Sequence, residues 1–134
     1  KHPNDVIVLN TQTLAWSLPP VQGSCMPKGR NAHCAVVVGD IIYFFGGYDG
    51  AHYLNDVKAL DTKSWRWIDM PDSAQMPQGI ASMCGHVVQD RFIWLFGGER
   101  FGKCLNEFWL FDTEQMAFIT VPVSGKLPSP RFSH

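Results

Sequence analysis

The chain has 134 residues, a formal net charge of −1 and an apolar and aromatic content sufficient for a core. The net charge argues against a nucleic-acid backbone as partner, because that contact needs a concentrated basic surface. No apolar run approaches the length of a membrane span, so a membrane is not an expected partner either.

Val6-Ile7-Val8-Leu9 is a short apolar strand closed by the polar turn Asn10-Thr11-Gln12-Thr13, whose Asn can bond its own backbone. Leu14, Trp16 and Leu18 alternate with Ala15 and Ser17 in a second strand, which Pro19-Pro20 stops. A loop through Gly23, Pro27 and Gly29 leads to Arg30 and to a strand over Cys34 to Val38. Gly39-Asp40 separates that strand from Ile41-Ile42-Tyr43-Phe44-Phe45, a spacing that makes a tight hairpin. Five β-branched or aromatic residues without polar alternation predict a strand covered on both faces. It runs into Gly46-Gly47, where the backbone needs φ > 0 or close approach of another segment. After the loop Tyr48 to Tyr53 come strands over 55–61 and 65–68, joined at Thr62-Lys63-Ser64.

From Cys84 to Thr120 the same succession returns. Phe92-Ile93-Trp94-Leu95-Phe96-Gly97-Gly98 repeats the apolar run and its glycine pair at an interval of 51, as do Asn4-Asp5, Asn55-Asp56 and Asn106-Glu107. Trp16, Trp67 and Phe118 keep that interval, and Met26-Pro27 matches Met76-Pro77 at 50. One extra residue therefore falls in the turn after Asp90, at Arg91. Four short strands per repeat, with no helical periodicity, describe one blade of a β-propeller.

The order Arg-x-x-His, apolar strand, aromatics ending in Gly-Gly, then Asn-Asp, Asp-Thr and Trp resembles the kelch repeat. Arg30-Asn31-Ala32-His33 and Arg131-Phe132-Ser133-His134 fit its opening, and Tyr43 and Trp94 fit its aromatic position. The middle repeat departs, with Ile80 and Met83 in place of the Arg and His. The resemblance implies an all-β, kelch-type propeller segment of four-stranded antiparallel blades, about two and a half of them. Residues 1–30 give the last two strands of one blade and a connecting loop, 31–81 and 82–130 give whole blades, and 131–134 begin another. A blade left open forfeits on the order of 10 kcal/mol of apolar burial, comparable with the whole stability of a domain. The expectation is a larger propeller completed by blades of the same or another chain, with the first strand of each blade nearest the axis.

Strand reversal places the connections after strands two and four on one face and the short turns on the other. The exposable chemistry on the loop face is Tyr48, Asp49, His52 and Tyr53 in one blade and Glu99, Arg100, Phe101 and Lys103 in the next. Met26, Lys28, Arg30, Asp72, Gln75 and Met76 are their expected neighbours. Mixed aromatic, charged and Met side chains suit a protein or peptide partner. The partner-binding set is Arg30, Tyr48, Asp49, His52, Tyr53, Arg100, Phe101 and Lys103, with Tyr53 and Phe101 flanking a groove. Asp5 and Asp56 read as repeated hydrogen-bonding residues, Trp16, Trp67 and Phe118 as blade-to-blade packing, and His33 and His134 as satisfied core or near-core histidines.

Cys34, Cys84 and His86, on first strands, raise the possibility of a thiolate and imidazole metal site. Divergence of separate blades and the good packing of small cysteines weigh against it. No nucleophile with an adjacent base and no phosphate-cradling loop is present, so no catalytic residue, metal or cofactor is expected. The alternative is an enzyme on the same fold (metal-dependent oxidase, specifier-type or sugar epimerase) with its site completed by other blades. Four cysteines without a CxxC pair read as reduced thiols, which places the protein in the cytoplasm.

Overall fold

The computed structural model describes residues 4–134, and its described residues contain strands and turns but no helix. The first hairpin pairs β1 (Val8–Asn10) with β2 (Ala15–Ser17). The strand expected from Val6 thus starts two residues later and takes in Asn10. Asn10 Oδ1 accepts the backbone N–H groups of Gln12 and Thr13 at 2.9 and 3.0 Å. Its counterparts Asp61 and Asp112 do the same for Lys63 and Ser64 and for Glu114 and Gln115. A short acceptor side chain at the end of strand three therefore nucleates each outer hairpin.

The second unit is a four-stranded antiparallel sheet of β3 (Cys34–Val38), β4 (Ile41–Phe45), β5 (Val57–Asp61) and β6 (Arg66–Ile68), in that order. The third has β7 (Cys84–Val88), β8 (Phe92–Phe96), β11 (Phe108–Asp112) and β12 (Ala117–Ile119) in the same order. Between β8 and β11 lies a small hairpin of β9 (Glu99–Arg100) and β10 (Lys103–Cys104), which the sequence reading leaves as loop. Sequential strands are spatial neighbours throughout each sheet, as in a propeller blade, and the sheets do not close on themselves.

The core lies between the two complete blades. One face of the second blade carries Cys34, Val36, Tyr43, Phe45, Val57 and Ala59, all buried. Facing it are Ile93, Leu95 and Phe111, each 0% exposed. Phe111 meets Phe45 edge-on at a centroid distance of 5.4 Å and Tyr43 at 5.9 Å. Gly85 has no side chain because Cys34 Sγ and Val36 Cγ2 come within 2.6 and 2.8 Å of where a Cβ would stand. β4 and β8 are fully buried on this shared face only. Ile42, Phe44, Trp94 and Phe96 on their opposite faces, toward the incomplete flanking blades, are half-buried. Period-two alternation makes the two faces independent, and only one of them meets a complete blade.

The blades are joined by backbone. Gly46 and Gly47 have φ of 56° and 100°, Gly97 and Gly98 φ of 69° and 101°. The Gly47 N–H donates to the Ile80 carbonyl at 2.9 Å, and the Gly98 N–H donates to the Arg131 carbonyl at 2.9 Å. Those same carbonyl oxygens occupy the space a Cβ on Gly46 or Gly97 would need. Leu54 completes the junction, donating to Gly47 at 2.8 Å and accepting from Ile80 at 3.1 Å, and Leu105 repeats this with Gly98 and Arg131 at 2.9 Å each.

The turn faces also separate as the alternation requires. Thr62 donates its N–H to the Asp40 carbonyl at 2.9 Å, and Thr113 donates its N–H to Arg91 at 3.3 Å, so the short turns adjoin one another. The additional residue of the third blade makes its inner turn three residues long, Gln89 to Arg91. Arg91 uses that position to reach buried Asp112 at 2.5 Å and Glu114 at 2.6 Å.

Two outcomes follow from these contacts. Gly46→Val and Gly97→Val should each lower the stability of the complete protein in urea melts by about 2 kcal/mol or more, since both strain the backbone and meet a carbonyl. Gly39→Ala has the same sign of φ, 58°, but open space around it. It should cost only about 1 kcal/mol. The hydrogen bonds from Arg91, helped by those from Glu114 and Gln115, hold the Asp112 carboxyl below its ordinary value. A depressed carboxyl stabilises the fold above its unfolded pKa and loses that contribution as pH falls through the folded one. The stability gap between the native protein and Asp112→Asn should therefore be widest near neutrality and close in acid. A gap that is flat with pH would contradict the assignment.

Candidate functional site

The connections after strands two and four do meet on one face. Met76 donates its N–H to Asn55 and Asn55 Nδ2 donates to Met76, at 2.9 and 3.0 Å, and Ala81 pairs with Glu99. Asp72 belongs elsewhere. Its neighbour Ser73 donates its hydroxyl to the Met116 carbonyl at 3.4 Å, in the turn just before β12, so the 71–73 stretch lies against the outer turn of the third blade and not beside the loops.

In the second blade Tyr48 and Tyr53 pair across the loop, with the tip held by Asp49. Asp49 Oδ1 accepts the N–H groups of Ala51 and His52 at 2.9 and 2.7 Å, and these bonds hold its carboxyl below the usual value. His52 is exposed, its Nδ1 3.6 Å from Asp49. In the third blade β9 and β10 join through Phe101 and Gly102, with φ of 51° and 75°. Two consecutive positive φ values are what a two-residue hairpin of matching twist requires. Glu99 Oε1 fixes this tip by accepting the Gly102 N–H at 2.7 Å, and it also accepts the Tyr53 hydroxyl at 2.7 Å from the neighbouring blade. The bond to Glu99 raises the Tyr53 pKa, because ionised Tyr could not donate it.

The aromatic rings consequently touch. Tyr48 lies 5.2 Å from Tyr53, and Tyr53 meets Phe101 edge-on at 5.1 Å. The expected groove between Tyr53 and Phe101 is instead a continuous ridge. Glu99 is the reason: its carboxylate ties one loop to the other and draws the rings together. Phe101 ends the ridge with 79% of its surface exposed.

Arg30 has a different place from the one expected. Its side chain is 7% exposed, and its two terminal nitrogens donate to the Asp56 carboxylate at 2.5 and 2.9 Å and to the Gly46 carbonyl at 3.0 Å. A bidentate guanidinium–carboxylate pair inside a blade is a clamp on the glycine pair, unavailable to a partner. Asp56 thus has the hydrogen-bonding role expected of it, whereas Asp5 is exposed.

The middle repeat, lacking the arginine, builds the clamp from other atoms. Gln78 Nε2 donates to both Glu107 oxygens at 2.7 Å, and Arg100 donates through Nη1 to Gln78 Oε1. Ile80 is then fully buried and Met83 nearly so. Sequence reasoning missed Gln78, and it placed Glu99 on the loop face without its bridging role. The available signals were a longer acid, Glu107, replacing Asp, and an acid at 99 where Tyr48 stands one repeat earlier.

The histidines, the repeated aromatic residues and the cysteines take the following places. His33 and His134 are exposed residues lying against Phe44 at 5.6 Å and Phe96 at 5.7 Å, not enclosed in the core. Partial burial, with Arg30 nearby, lowers the His33 pKa. Phe118 packs on Phe45 of the neighbouring blade at 6.3 Å, Trp67 packs on Phe44 of its own blade at 5.5 Å, and Trp16 stands in a sheet of which this chain supplies two strands. Cys34, Cys84 and His86 do not converge. Gly85 faces Cys34, so alternation turns Cys84 and His86 to the opposite side of β7, where both are exposed. Burial, with Cys84 nearby, pushes the Cys34 thiol up to about 12, which leaves it protonated and a poor metal ligand. Among the described residues no group of three His, Cys, Asp or Glu side chains is placed to hold a metal.

Repeated four-stranded antiparallel sheets, locked through paired glycines, define a β-propeller segment. The model of the KLHDC2/KLHL20/DRC7 Kelch-repeats domain matches residues 1–134, so the chain belongs to the kelch-repeat family. It is 30% identical over 142 residues to Kelch domain-containing protein 3 of Rattus norvegicus, a match covering 98% of this chain and 37% of the relative. It is also 27% identical over 130 residues to Acyl-CoA-binding domain-containing protein 4 of Arabidopsis thaliana, covering 96% of the chain and 19% of the relative. With Leucine-zipper-like transcriptional regulator 1 of Mus musculus it shares 27% over 143 residues, covering 100% and 17%. The chain thus spans well under half the length of each.

Because the clamp is structural, Arg30→Ala should lower stability by about 2 kcal/mol or more by stranding the Asp56 carboxylate. Thermal unfolding of the complete protein checks this. A variant that melts like the native protein would return Arg30 to the set of candidate binding residues.

Proposed function

We propose that this kelch propeller segment is a protein-interaction module, an adaptor or scaffold that holds a protein or peptide on its loop face in the cytoplasm. The observation that carries this reading is the Tyr48–Tyr53–Phe101 ridge, built across two blades and ending in an exposed ring. Rigid aromatic side chains offer large contact area at low entropic cost, and exposed aromatics beside charged groups are typical of binding energy concentrated in a few residues. Arg100, Lys103 and His52 border the ridge, and Asp49 shapes the loop that presents it. Further blades of the same or another chain complete the propeller.

The test uses the complete protein and a partner captured with it. Tyr53→Ala and Arg100→Ala should each weaken the complex by about 2 kcal/mol or more, measured by calorimetry. Lys63→Ala and Glu114→Ala, on the short-turn face, should change it by no more than about 0.5 kcal/mol. The reverse pattern would show that the binding face is the other one.

A further inference from the structure

The two faces use their charges differently. On the short-turn face cations are matched, Lys63 with Asp40 at 2.7 Å and Arg91 with Asp112 and Glu114. Around the ridge the carboxylates are turned inward. Asp49, its side chain 13% exposed, accepts its own loop's N–H groups; Glu99 accepts Tyr53 and Gly102; and Glu107 accepts Gln78 twice. The two cations flanking the tip are the converse. Arg100 is bound only to the neutral amide of Gln78, Lys103 is exposed, and neither forms an ion pair among the described residues. Between them Phe101 is held at φ 51°, a backbone conformation that favours glycine or asparagine, with its ring 79% exposed. A bulky aromatic in a strained turn, with two neighbouring cations that form no ion pair and the nearby carboxylates engaged by donors of the loops, is a surface of defined polarity.

We infer that the β9–β10 tip receives an acidic segment of a partner protein, one that sets an apolar side chain against Phe101 and Tyr53 and carboxylates against Arg100 and Lys103. This rests on the loop-face reading and adds the chemistry of the partner. Arg100 supplies a planar donor already oriented by Gln78, suited to a carboxylate, and Lys103 supplies a mobile point charge. Complementarity of this kind sets partner choice and encounter rate, and the apolar anchor sets residence time.

The experiment measures fluorescence anisotropy with the full-length protein and three labelled peptides of equal length. One alternates Asp and Glu with Phe and Leu, one carries Lys in place of the acids, and one carries Ser in place of the apolar residues. The acidic-apolar peptide should bind best and weaken as salt rises. Arg100→Ala combined with Lys103→Ala should weaken it about tenfold and flatten the salt dependence. Phe101→Gly removes the ring while relieving the turn, so it should weaken binding roughly thirtyfold without lowering the melting temperature. If the Lys or Ser peptide binds equally well and Phe101→Gly still weakens it, the acidic assignment falls and the loop face stands. If no peptide binds, or binding depends on Lys63 and Glu114 instead, both fall. Retention by phosphatidylserine vesicles without peptide binding would mark the cations as a membrane contact and overturn the proposal.

Discussion

The junction between blades depends on one close approach of backbone to backbone. The carbonyl of Ile80 sits where a Cβ on Gly46 would be and accepts the N–H of Gly47, and Arg131 does the same at Gly97 and Gly98. Only glycine lets the chain turn to positive φ at that point and admit the next blade so closely. Because the bonds are backbone to backbone, the lock tolerates exchange of side chains on either side. That tolerance explains how Ile80 can stand where another blade uses arginine, provided a different donor steadies the glycine strand.

That steadying group links the architecture to the loop face. In the second blade Arg30 clamps Asp56 and the Gly46 carbonyl and is thereby buried. In the third, Gln78 takes the acid and leaves a second amide atom to hold Arg100 at the surface. The same structural requirement, a donor for the acid after strand two's loop, is met once by a charge kept inside and once by a neutral amide that presents a charge outside. The loop faces of successive blades become chemically unlike although their backbones repeat. Glu99 adds the contact between blades, since its carboxylate serves its own hairpin and the Tyr53 hydroxyl together.

Much of the fold was legible because it depends on local patterns. The five-residue apolar runs, the Gly-Gly stops, the interval of 51 and the extra residue at Arg91 each specify strand, turn or register without reference to distant residues. The edges of the outermost sheet were less legible: Val6 and Ile7 are apolar, yet pairing begins at Val8, where a partner strand lies opposite. The β9–β10 hairpin escaped notice because Glu-Arg-Phe-Gly-Lys-Cys has neither apolar alternation nor a leading Asn or Gly to announce its turn.

By itself the sequence determined that this protein is a succession of four-stranded blades and which segments make its two faces, because strand alternation and turn chemistry act over a few residues. Only the tertiary structure decided which of the loop residues face outward. Arg30 and Arg100 are both arginines in connections on the same face; the Arg-x-x-His motif marks Arg30 as part of the repeat, but no local pattern says which group either arginine binds. The difference lies in partners 26 and 22 residues away, Asp56 for one and Gln78 for the other. Whether Tyr53 and Phe101 stand apart or touch was likewise settled by a single carboxylate, Glu99, reaching between blades. Long-range hydrogen bonds fix the identity of the surface, and their ends meet only when the blades are packed.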